Sequence, residues 1–450
     1  MNRWPWSAKP QQRKLRDLIE RHLAIELAQA QSVTHGLQPA EQVNMQRVID
    51  RWAEAERPAV EPIGFIAAEG FFGDDALVKA LVVDRLIQAP VEREPLECGV
   101  RETFDGVARG LFLLRRQGVP VVVAFRTVRS VFDLPLFEVI APRRETARET
   151  LATALDEVRR HSVYRGRAIA VERVAAFREE IKVRFHEIRP THRDEIVLPG
   201  EVLEVIERNV LGMLKHAPAL RAAGRSMRRG LLFHGPPGTG KTMMVRYLSH
   251  ACRDHTVVLL TRSSSLPVRE ACQIARLLAP SIVVLEDVDI LAEDRQTNRC
   301  PLVLHDLLDE MDGLGPRDEV TFLLTTNRPE ILEPALAGRP GRIDQAIAFP
   351  LPDDAGRRRL FGVYGKGLDL SALDLEEWVA QTAGSSPAFI EELLRKAALL
   401  VAERDGQSVL KLGDDDLRAA LRELVLFGGE LTQRLLGFRP LRIGYQVEPK

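Results

Sequence analysis

The 450-residue sequence predicts an α/β protein whose main domain contains a parallel β-sheet, and three observations lead to that fold class. Short apolar segments alternate with helical patterns between about residues 229 and 350, which is typical of parallel strands joined by helices. The segment from Ile282 to Leu285 is apolar at successive positions, as in a strand buried on both faces. A glycine-rich turn at residues 235–242 separates a strand pattern from a helix pattern, so a phosphate-binding loop is expected at one edge of the sheet.

The residues that precede this sheet predict smaller elements of both kinds. Helices are expected at residues 11–31, 40–55, 75–88, 104–117 and 144–162. Strands are expected at residues 119–126, 136–142, 168–171 and 181–188. These patterns predict a separate α/β domain ahead of the main one.

Two segments without periodic patterns suggest where the domains divide. They are RPAVEP at residues 57–62 and RPTHRDE at residues 189–195. The expected regions are a helical segment at 1–60, an α/β N-terminal domain at 61–190, the main sheet domain at 191–350, a small helical lid domain at 351–425 and a tail at 426–450. The N-terminal domain contains no phosphate loop, metal cluster or nucleophile motif, so its expected role is recognition of a partner.

Composition and charge restrict the class of protein. The sequence is 45% hydrophobic and 28% charged, as in soluble globular proteins, and its net charge of −1 disfavours a nucleic-acid partner. The four cysteines show no CxxC spacing, which disfavours a disulfide framework and a structural zinc site. No stretch approaches the roughly 18 apolar residues of a membrane span, and the N-terminus lacks the apolar core of a signal peptide. We therefore expect a cytoplasmic protein with no membrane span.

The glycine-rich turn has the spacing G-x-x-x-x-G-K-[ST] and predicts a nucleotide site of the P-loop NTPase type. Backbone N–H groups in such a loop point at phosphate oxygens, and the following helix adds its positive N-terminus. Lys241 is expected to reach the β and γ phosphates, and the Thr242 hydroxyl to ligate Mg²⁺. The expected binding residues are Gly235, Pro236, Pro237, Gly238, Thr239, Gly240, Lys241 and Thr242. The competing interpretation is a glycine-rich turn with an exposed lysine.

The predicted strand at Ile282 to Leu285 leads directly into Glu286 and Asp287. In a P-loop fold, one acid at the end of this strand helps to hold Mg²⁺ and a neighbouring acid polarises the attacking water. From their order in the chain, we expect Glu286 to help hold Mg²⁺ and Asp287 to polarise the attacking water. Asp289 is expected to cap a helix or to act from outside the immediate site.

Residues from about 196 to 424 resemble the AAA ATPases. The resemblance is carried by GPPGTGKT, the acidic strand end, LLDEMDGL at residues 307–314, FLLTTNRPE and EPALAGRPGRIDQAIAFPLPD. It implies ATP and Mg²⁺ as cofactors and assembly into a homo-oligomeric ring, expected to be a hexamer. It also implies that Asn327 helps to place the attacking water and that Arg339 and Arg342 reach the neighbouring subunit's site. Ala388 falls near the expected adenine or ribose contact.

Three departures from the family pattern accompany this resemblance. The acidic pair reads Glu-Asp instead of Asp-Glu, which is similar to the branch of the mitochondrial translocase of the Rieske protein. The segment before RPGR contains one additional residue, and Pro387 replaces the usual glycine next to Ala388. We interpret the acid order as a subfamily signature and not as loss of activity.

The expected function is an ATPase that couples hydrolysis to remodelling of an unidentified protein client. One alternative is a slow nucleotide-operated switch or scaffold whose output is binding. A second is a motor associated with nucleic acid, which the near-neutral charge disfavours. The segment HEIRPTH at residues 186–192 lacks the second histidine of HExxH, so no zinc protease site is expected there.

Overall fold

The computed structural model describes residues 15–67, 76–83, 86–129, 133–175, 179–260, 267–289, 301–313, 315, 318–332, 342–405 and 410–427. The chain divides into two compact units. The first comprises residues 1–187 with residues 263–270, and the second comprises residues 188–262 with residues 271–450. Among the described residues, no helix is both long enough and apolar enough to cross a membrane.

The first unit contains a mostly antiparallel β-structure with four helices in its described part. Its strands are β1 (Gln31–Gly36), β2 (Gly64–Ala67), β3 (Leu86–Ala89), β4 (Glu92–Gly99), β5 (Glu102–Arg116), β6 (Val119–Arg129), β7 (Asp133–Ala141), β8 (Ala168–Ala175) and β9 (Glu179–Phe185). Its helices are α1 (Leu15–Leu23), α2 (Pro39–Ala55), α3 (Leu77–Val82) and α4 (Arg144–Arg160). The main sheet has the order β1-β7-β6-β5-β4, and the pairs β2–β3 and β8–β9 are also antiparallel.

Helices cover this sheet on both faces. Apolar residues of α2 and α4 share one buried cluster with β5, β6 and β7, and residues of α1 and α3 share a second cluster with the same strands. Trp52 of α2 and Phe112 of β5, for example, belong to the first cluster. Residues before and after the expected boundary at 57–62 therefore contribute to one core.

Several secondary-structure predictions in this unit were wrong. Residues 104–117 were expected to be helical but lie almost entirely in β5, which pairs with β4 and β6. The second half of β5 is buried at successive positions, so it lacks the alternation that reveals a strand with one exposed face. The helix expected at 11–31 ends at Leu23, and the one expected at 75–88 spans only α3 before the chain enters β3. Strand pairing across the unit outweighs the local helical pattern in these segments.

The second unit confirms the predicted parallel sheet. Its strands are β10 (Arg229–His234), β11 (Thr256–Leu260), β12 (Ser281–Leu285), β13 (Val320–Thr326) and β14 (Gln345–Ala348). They lie in the order β14-β10-β13-β12-β11, and each neighbouring pair is parallel. The helices of this part are α5 (Gly200–Glu207), α6 (Met213–Lys215), α7 (Ala217–Ala222), α8 (Lys241–Ala251), α9 (Val268–Leu277) and α10 (Pro301–Asp312). Because the carboxyl ends of parallel strands meet at one edge, the loops after β10, β12 and β13 converge there.

Residues after β14 form a mostly helical part of the same unit. Its elements are α11 (Asp354–Tyr364), β15 (Leu368–Ala372), α12 (Leu375–Gln381), α13 (Pro387–Asp405), β16 (Leu410–Gly413) and α14 (Asp414–Arg422). The helices enclose a core that contains Trp378 and Phe389, and β15 pairs with β16 in parallel. The Asp353 side chain caps α11 by accepting a 2.7 Å hydrogen bond from the Gly356 N–H.

Candidate functional site

The glycine-rich loop connects the end of β10 to the start of α8. Gly235, Gly238 and Gly240 all have positive φ angles, so the chain turns there in a way that residues with a Cβ rarely adopt. At Gly235 a Cβ would lie 2.4 Å from the Phe349 carbonyl oxygen. Glycine is therefore required at that position both by conformation and by space. The helix that follows begins at Lys241, as predicted.

Lys241 lies over the backbone of its own loop. Its ammonium group donates hydrogen bonds of 2.8 Å to the carbonyl oxygens of Gly235 and Pro236. The residue is only 6% exposed. Burial lowers the pKa of Lys241 to about 8, and the nearby Asp289 carboxylate partly opposes that shift. A weaker hydrogen bond of 3.5 Å goes to the Thr239 hydroxyl. A partly desolvated cation whose hydrogen bonds go to neutral oxygens is well placed to bind an incoming phosphate.

The two acids after β12 lie in a tight turn. Glu286 and Asp287 are both partly exposed, while Leu285 before them is buried. Asp287 has a left-handed backbone conformation with φ at 51°. Its N–H donates a 3.0 Å hydrogen bond to the Thr325 hydroxyl, and its Oδ1 accepts a 3.0 Å hydrogen bond from the Asn327 side-chain amide. The structure thus brings together Asp287 and Asn327, which are 40 positions apart in the chain.

Asp289 joins the same acidic turn to the end of β13. The residue is 5% exposed, and its Oδ1 accepts hydrogen bonds from the Thr326 hydroxyl at 2.7 Å and from the Asn327 N–H at 3.1 Å. The sequence prediction gave no role to Thr325 or Thr326. The only signal was their place in TTN, directly before Asn327. Asp289 therefore acts here as a buried acceptor that fixes the backbone at Asn327.

Thr242, Glu286 and Asp287 supply oxygen donors suited to Mg²⁺. Thr242 is exposed in the first turn of α8, and the two acids are partly exposed at the end of β12, which is separated from β10 by β13. No cluster of three or more histidine, cysteine or acidic residues able to hold a metal exists among the described residues. Mg²⁺ typically uses only one or two protein carboxylates and takes its other ligands from phosphates and water. The donor set of Thr242 and Glu286 fits that mode of binding.

Arg342 lies away from the loop and faces its own chain. Its side chain is 10% exposed and forms an ion pair with Asp312 at the end of α10. A second carboxylate, that of Asp309, lies 3.6 Å from the same nitrogen. Arg339, the other predicted arginine finger, lies outside the described residues. In this conformation Arg342 is engaged within the subunit.

Ala388 lies in the first turn of α13, in contact with the glycine-rich loop. Its N–H donates a 3.2 Å hydrogen bond to the Gly238 carbonyl oxygen. Pro387 is the first residue of α13, where a missing N–H costs nothing, so proline is compatible with the position that is usually glycine. A pocket of about 270 Å³ lies beside this contact. Its lining residues include Val197, Leu198, Pro199, Pro352 and Pro387.

Part of this unit matches a known protein family. Residues 231–351 match the ATPase family associated with various cellular activities (AAA). The ATP-dependent zinc metalloprotease FtsH 1 of Sphaerobacter thermophilus is 33% identical over 254 residues, which cover 53% of this chain and 37% of the relative. The human ATPase family gene 2 protein homolog A is 37% identical over 219 residues, or 46% of this chain and 24% of the relative.

A third relative is the proteasome-activating nucleotidase of Methanopyrus kandleri, 33% identical over 241 residues that cover 49% of this chain and 53% of the relative. The chain therefore spans about half the length, or less, of these curated relatives. The matched segment contains the glycine-rich loop, the acidic turn and the end of β13. The chain contains an AAA ATPase domain whose homologues belong to the AAA+ family.

Proposed function

We propose that this chain binds ATP with Mg²⁺, hydrolyses it, and uses hydrolysis to remodel a protein partner. The observation that carries the proposal is the contact between Asp287 and Asn327 at the strand ends beside the glycine-rich loop. An acid and an amide 3.0 Å apart can together hold one water molecule in a fixed orientation. The AAA match over residues 231–351 supports the same assignment.

Each predicted residue then has a chemical role. Backbone N–H groups of residues 235–242 and the Lys241 ammonium group bind the phosphates, since both supply positive charge at the start of α8. Thr242 and Glu286 would hold Mg²⁺, and a bound Mg²⁺ would supply positive charge opposite the β and γ phosphates. Asp287 accepts the proton of the attacking water, and Asn327 orients that water. Ala388 and the pocket beside it contact the adenine or ribose.

Assembly and client are part of the proposal. By resemblance, the chain forms a homo-oligomeric ring, expected to be hexameric, in which Arg339 and Arg342 act on the neighbouring nucleotide. Relatives named as an ATP-dependent metalloprotease and a proteasome-activating nucleotidase support a link between ATP use and protein handling. The order of Glu286 and Asp287 supports a relationship to the branch of the Rieske-protein translocase. We likewise propose client recognition by residues 61–190, a motor at 191–350, a lid at 351–425 and a tail at 426–450. The helical segment at 1–60 shares a core with residues 61–190 and belongs with them.

A slow switch is the second candidate, and one observation favours it. The Arg342 side chain is held by Asp312 of its own chain, so in this conformation it is not extended toward a neighbouring site. An arginine finger contributes about 10³- to 10⁵-fold to the rate of phosphoryl transfer. A protein that rarely releases Arg342 would therefore hydrolyse ATP slowly and act mainly through binding.

Steady-state phosphate release tests the proposal and separates the two candidates. A remodelling ATPase should turn over at about 1 per second or faster with Mg²⁺, whereas a switch should stay far below that rate. Lys241→Ala should abolish both nucleotide binding and turnover, because it removes the charge aimed at the β and γ phosphates. Nucleotide binding without any Mg²⁺-dependent turnover in the wild-type chain would contradict hydrolysis.

A further inference from the structure

The backbone at Asp287 is unusual for a residue at the end of a strand. Its φ of 51° lies in the left-handed region, which side chains with a Cβ adopt infrequently. Strand β12 ends at Leu285, which pairs with Leu324 of β13. The left-handed turn begins two residues later and redirects the chain. An energetically unfavourable conformation at a proposed catalytic acid persists only where surrounding groups hold it.

One such group is the hydroxyl of Thr325. It accepts a hydrogen bond of 3.0 Å from the Asp287 N–H. Thr325 is 1% exposed, so its hydroxyl cannot be replaced by bulk water if the side chain is changed. Past the end of β12, this N–H has left the regular hydrogen bonding between strands. The threonine side chain supplies the acceptor that a continued strand would have offered.

We propose that Thr325 is a positioning residue that holds Asp287 in its left-handed turn, and that this turn is why aspartate follows glutamate in the acidic pair. The proposal rests on the proposed ATPase function. Thr325 touches no reacting atom and acts only through the Asp287 backbone. Its effect is to place Oδ1 of Asp287 within 3.0 Å of the Asn327 amide.

The order of the two acids follows from the same turn. Aspartate and asparagine occupy the left-handed region more often than other residues with a side chain, because a short polar side chain can hydrogen-bond locally. Here the Asp287 carboxylate accepts its hydrogen bond from the Asn327 side chain, 40 positions away in the chain. A glutamate at position 287 is one methylene longer, so its carboxylate cannot occupy the same place on the same backbone. The reversed order Asp-Glu therefore requires a different turn from the one seen here.

The principal test compares three threonine variants in single-turnover ATP hydrolysis. Thr325→Val removes the hydroxyl that accepts the hydrogen bond, with little change in side-chain volume. Thr325→Ser keeps a hydroxyl at that position. Thr321→Val is the matched control, because Thr321 is another buried threonine of β13, four residues before Thr325. We expect Thr325→Val to lower the hydrolysis rate by about tenfold or more, while the Kd for ATP changes less than about threefold. Thr325→Ser and Thr321→Val should stay close to the wild-type rate.

A purely structural role for Thr325 predicts a different pattern. Valine and serine would then alter stability, and the folded fraction of each would hydrolyse ATP at the wild-type rate. A folded Thr325→Val protein within about twofold of the wild-type rate would overturn the proposal. A wild-type chain without turnover would instead count against the ATPase function itself. The two failures are therefore distinguishable.

Changing the acids tests the inference without touching Thr325, and it decides the matter if Thr325→Val does not fold. We expect Asp287→Glu to lower the rate by about tenfold or more, although it preserves the charge. The double variant Glu286→Asp with Asp287→Glu, which creates the Asp-Glu order, should not regain the lost activity. Wild-type turnover in either variant would show that the turn does not require aspartate.

Discussion

Arg342 and Asp312 form an ion pair within one chain, between the last residue of the RPGR motif and the C-terminal end of α10. The arginine side chain is 10% exposed, and the Asp312 carboxylate is about half exposed. The Asp309 carboxylate lies 3.6 Å from the same arginine nitrogen. The pair links Arg342, which the family resemblance assigns to the neighbouring subunit's site, to LLDEMDGL at residues 307–314, a segment that also carries the resemblance.

Arg342→Ala is therefore expected to destabilise the isolated chain. Losing the buried guanidinium removes its ion pair with Asp312, at a cost of about 1–3 kcal/mol in the free energy of unfolding. Arg358→Ala is the control, because Arg358 pairs with Glu376 on the surface and both side chains are well exposed. That change should cost much less, because solvent screens an exposed ion pair. Denaturant unfolding measures both, and equal small losses would show that the Arg342 contact contributes little.

Mixing two inactive variants tests whether Arg342 acts on a neighbouring subunit. Arg342→Ala chains keep an intact glycine-rich loop, and Lys241→Ala chains keep an intact arginine. A mixed ring brings some intact loops next to intact arginines, so part of the ATPase activity should return. Sedimentation in ATP verifies that rings form. Mixed rings with no recovered activity would exclude action between subunits.

Nucleotide affinity should depend on pH through Lys241. In the nucleotide-free chain, burial lowers the pKa of Lys241 to about 8. Below that pH the lysine is already a cation and ATP affinity should be at its maximum. Above it, a proton must be taken up on binding, so affinity should fall by up to about tenfold per pH unit.

Fluorescence titration of a labelled ATP analogue between pH 7 and about 9.5 measures this dependence. Lys241→Arg is the control, because a guanidinium stays protonated throughout that range. The variant's affinity, whatever its absolute value, should be nearly independent of pH. A wild-type affinity that is equally flat would show that Lys241 remains fully charged in the nucleotide-free chain.

The two acids should separate binding from hydrolysis. Asp287→Asn is expected to keep ATP affinity and lose turnover, because an amide fills the space of the acid but is a very poor proton acceptor. Glu286→Gln should instead raise the Mg²⁺ concentration needed for half-maximal turnover. Paired measurements of ATP Kd and Mg²⁺ dependence distinguish these outcomes. If Glu286→Gln gives the protein that binds ATP tightly without hydrolysing it, the two roles are reversed.

Gly238 should be sensitive to substitution because it contacts α13. An added Cβ would lie 2.8 Å from the Ser386 hydroxyl oxygen and 2.9 Å from the Ala388 Cβ. Gly238→Ala is expected to weaken ATP binding by about tenfold or more, since the loop and α13 must separate to accommodate it. Gly224→Ala is the matched control: Gly224 also has a left-handed φ, but an added Cβ meets nothing within 4 Å. If the two changes raise the Kd for ATP equally, backbone strain alone explains the loss of affinity, and the contact with α13 does not contribute.

The sequence by itself determined the class of the main domain and the composition of its phosphate loop. The strand, turn and helix around Lys241 are consecutive in the chain, so a short stretch of sequence is enough to predict the phosphate loop. The parallel sheet was equally readable, because each of its strands is a short apolar segment between helical patterns. The acidic strand end could be located because it directly follows an apolar strand pattern, whereas Asn327 was assigned through the resemblance of FLLTTNRPE to the AAA ATPases.

Only the tertiary structure decided how distant side chains meet. The hydrogen bonds of Asp287 to Thr325 and Asn327 join positions 38 and 40 residues apart, and they depend on the register of β12 against β13. The partner of Arg342 likewise depends on where α10 ends. Residues 104–117 became a strand because β4 and β6 pair with them from both sides, a contact that no local pattern encodes. Periodicity reports which face of an element is buried, whereas register and pairing are set by the whole core.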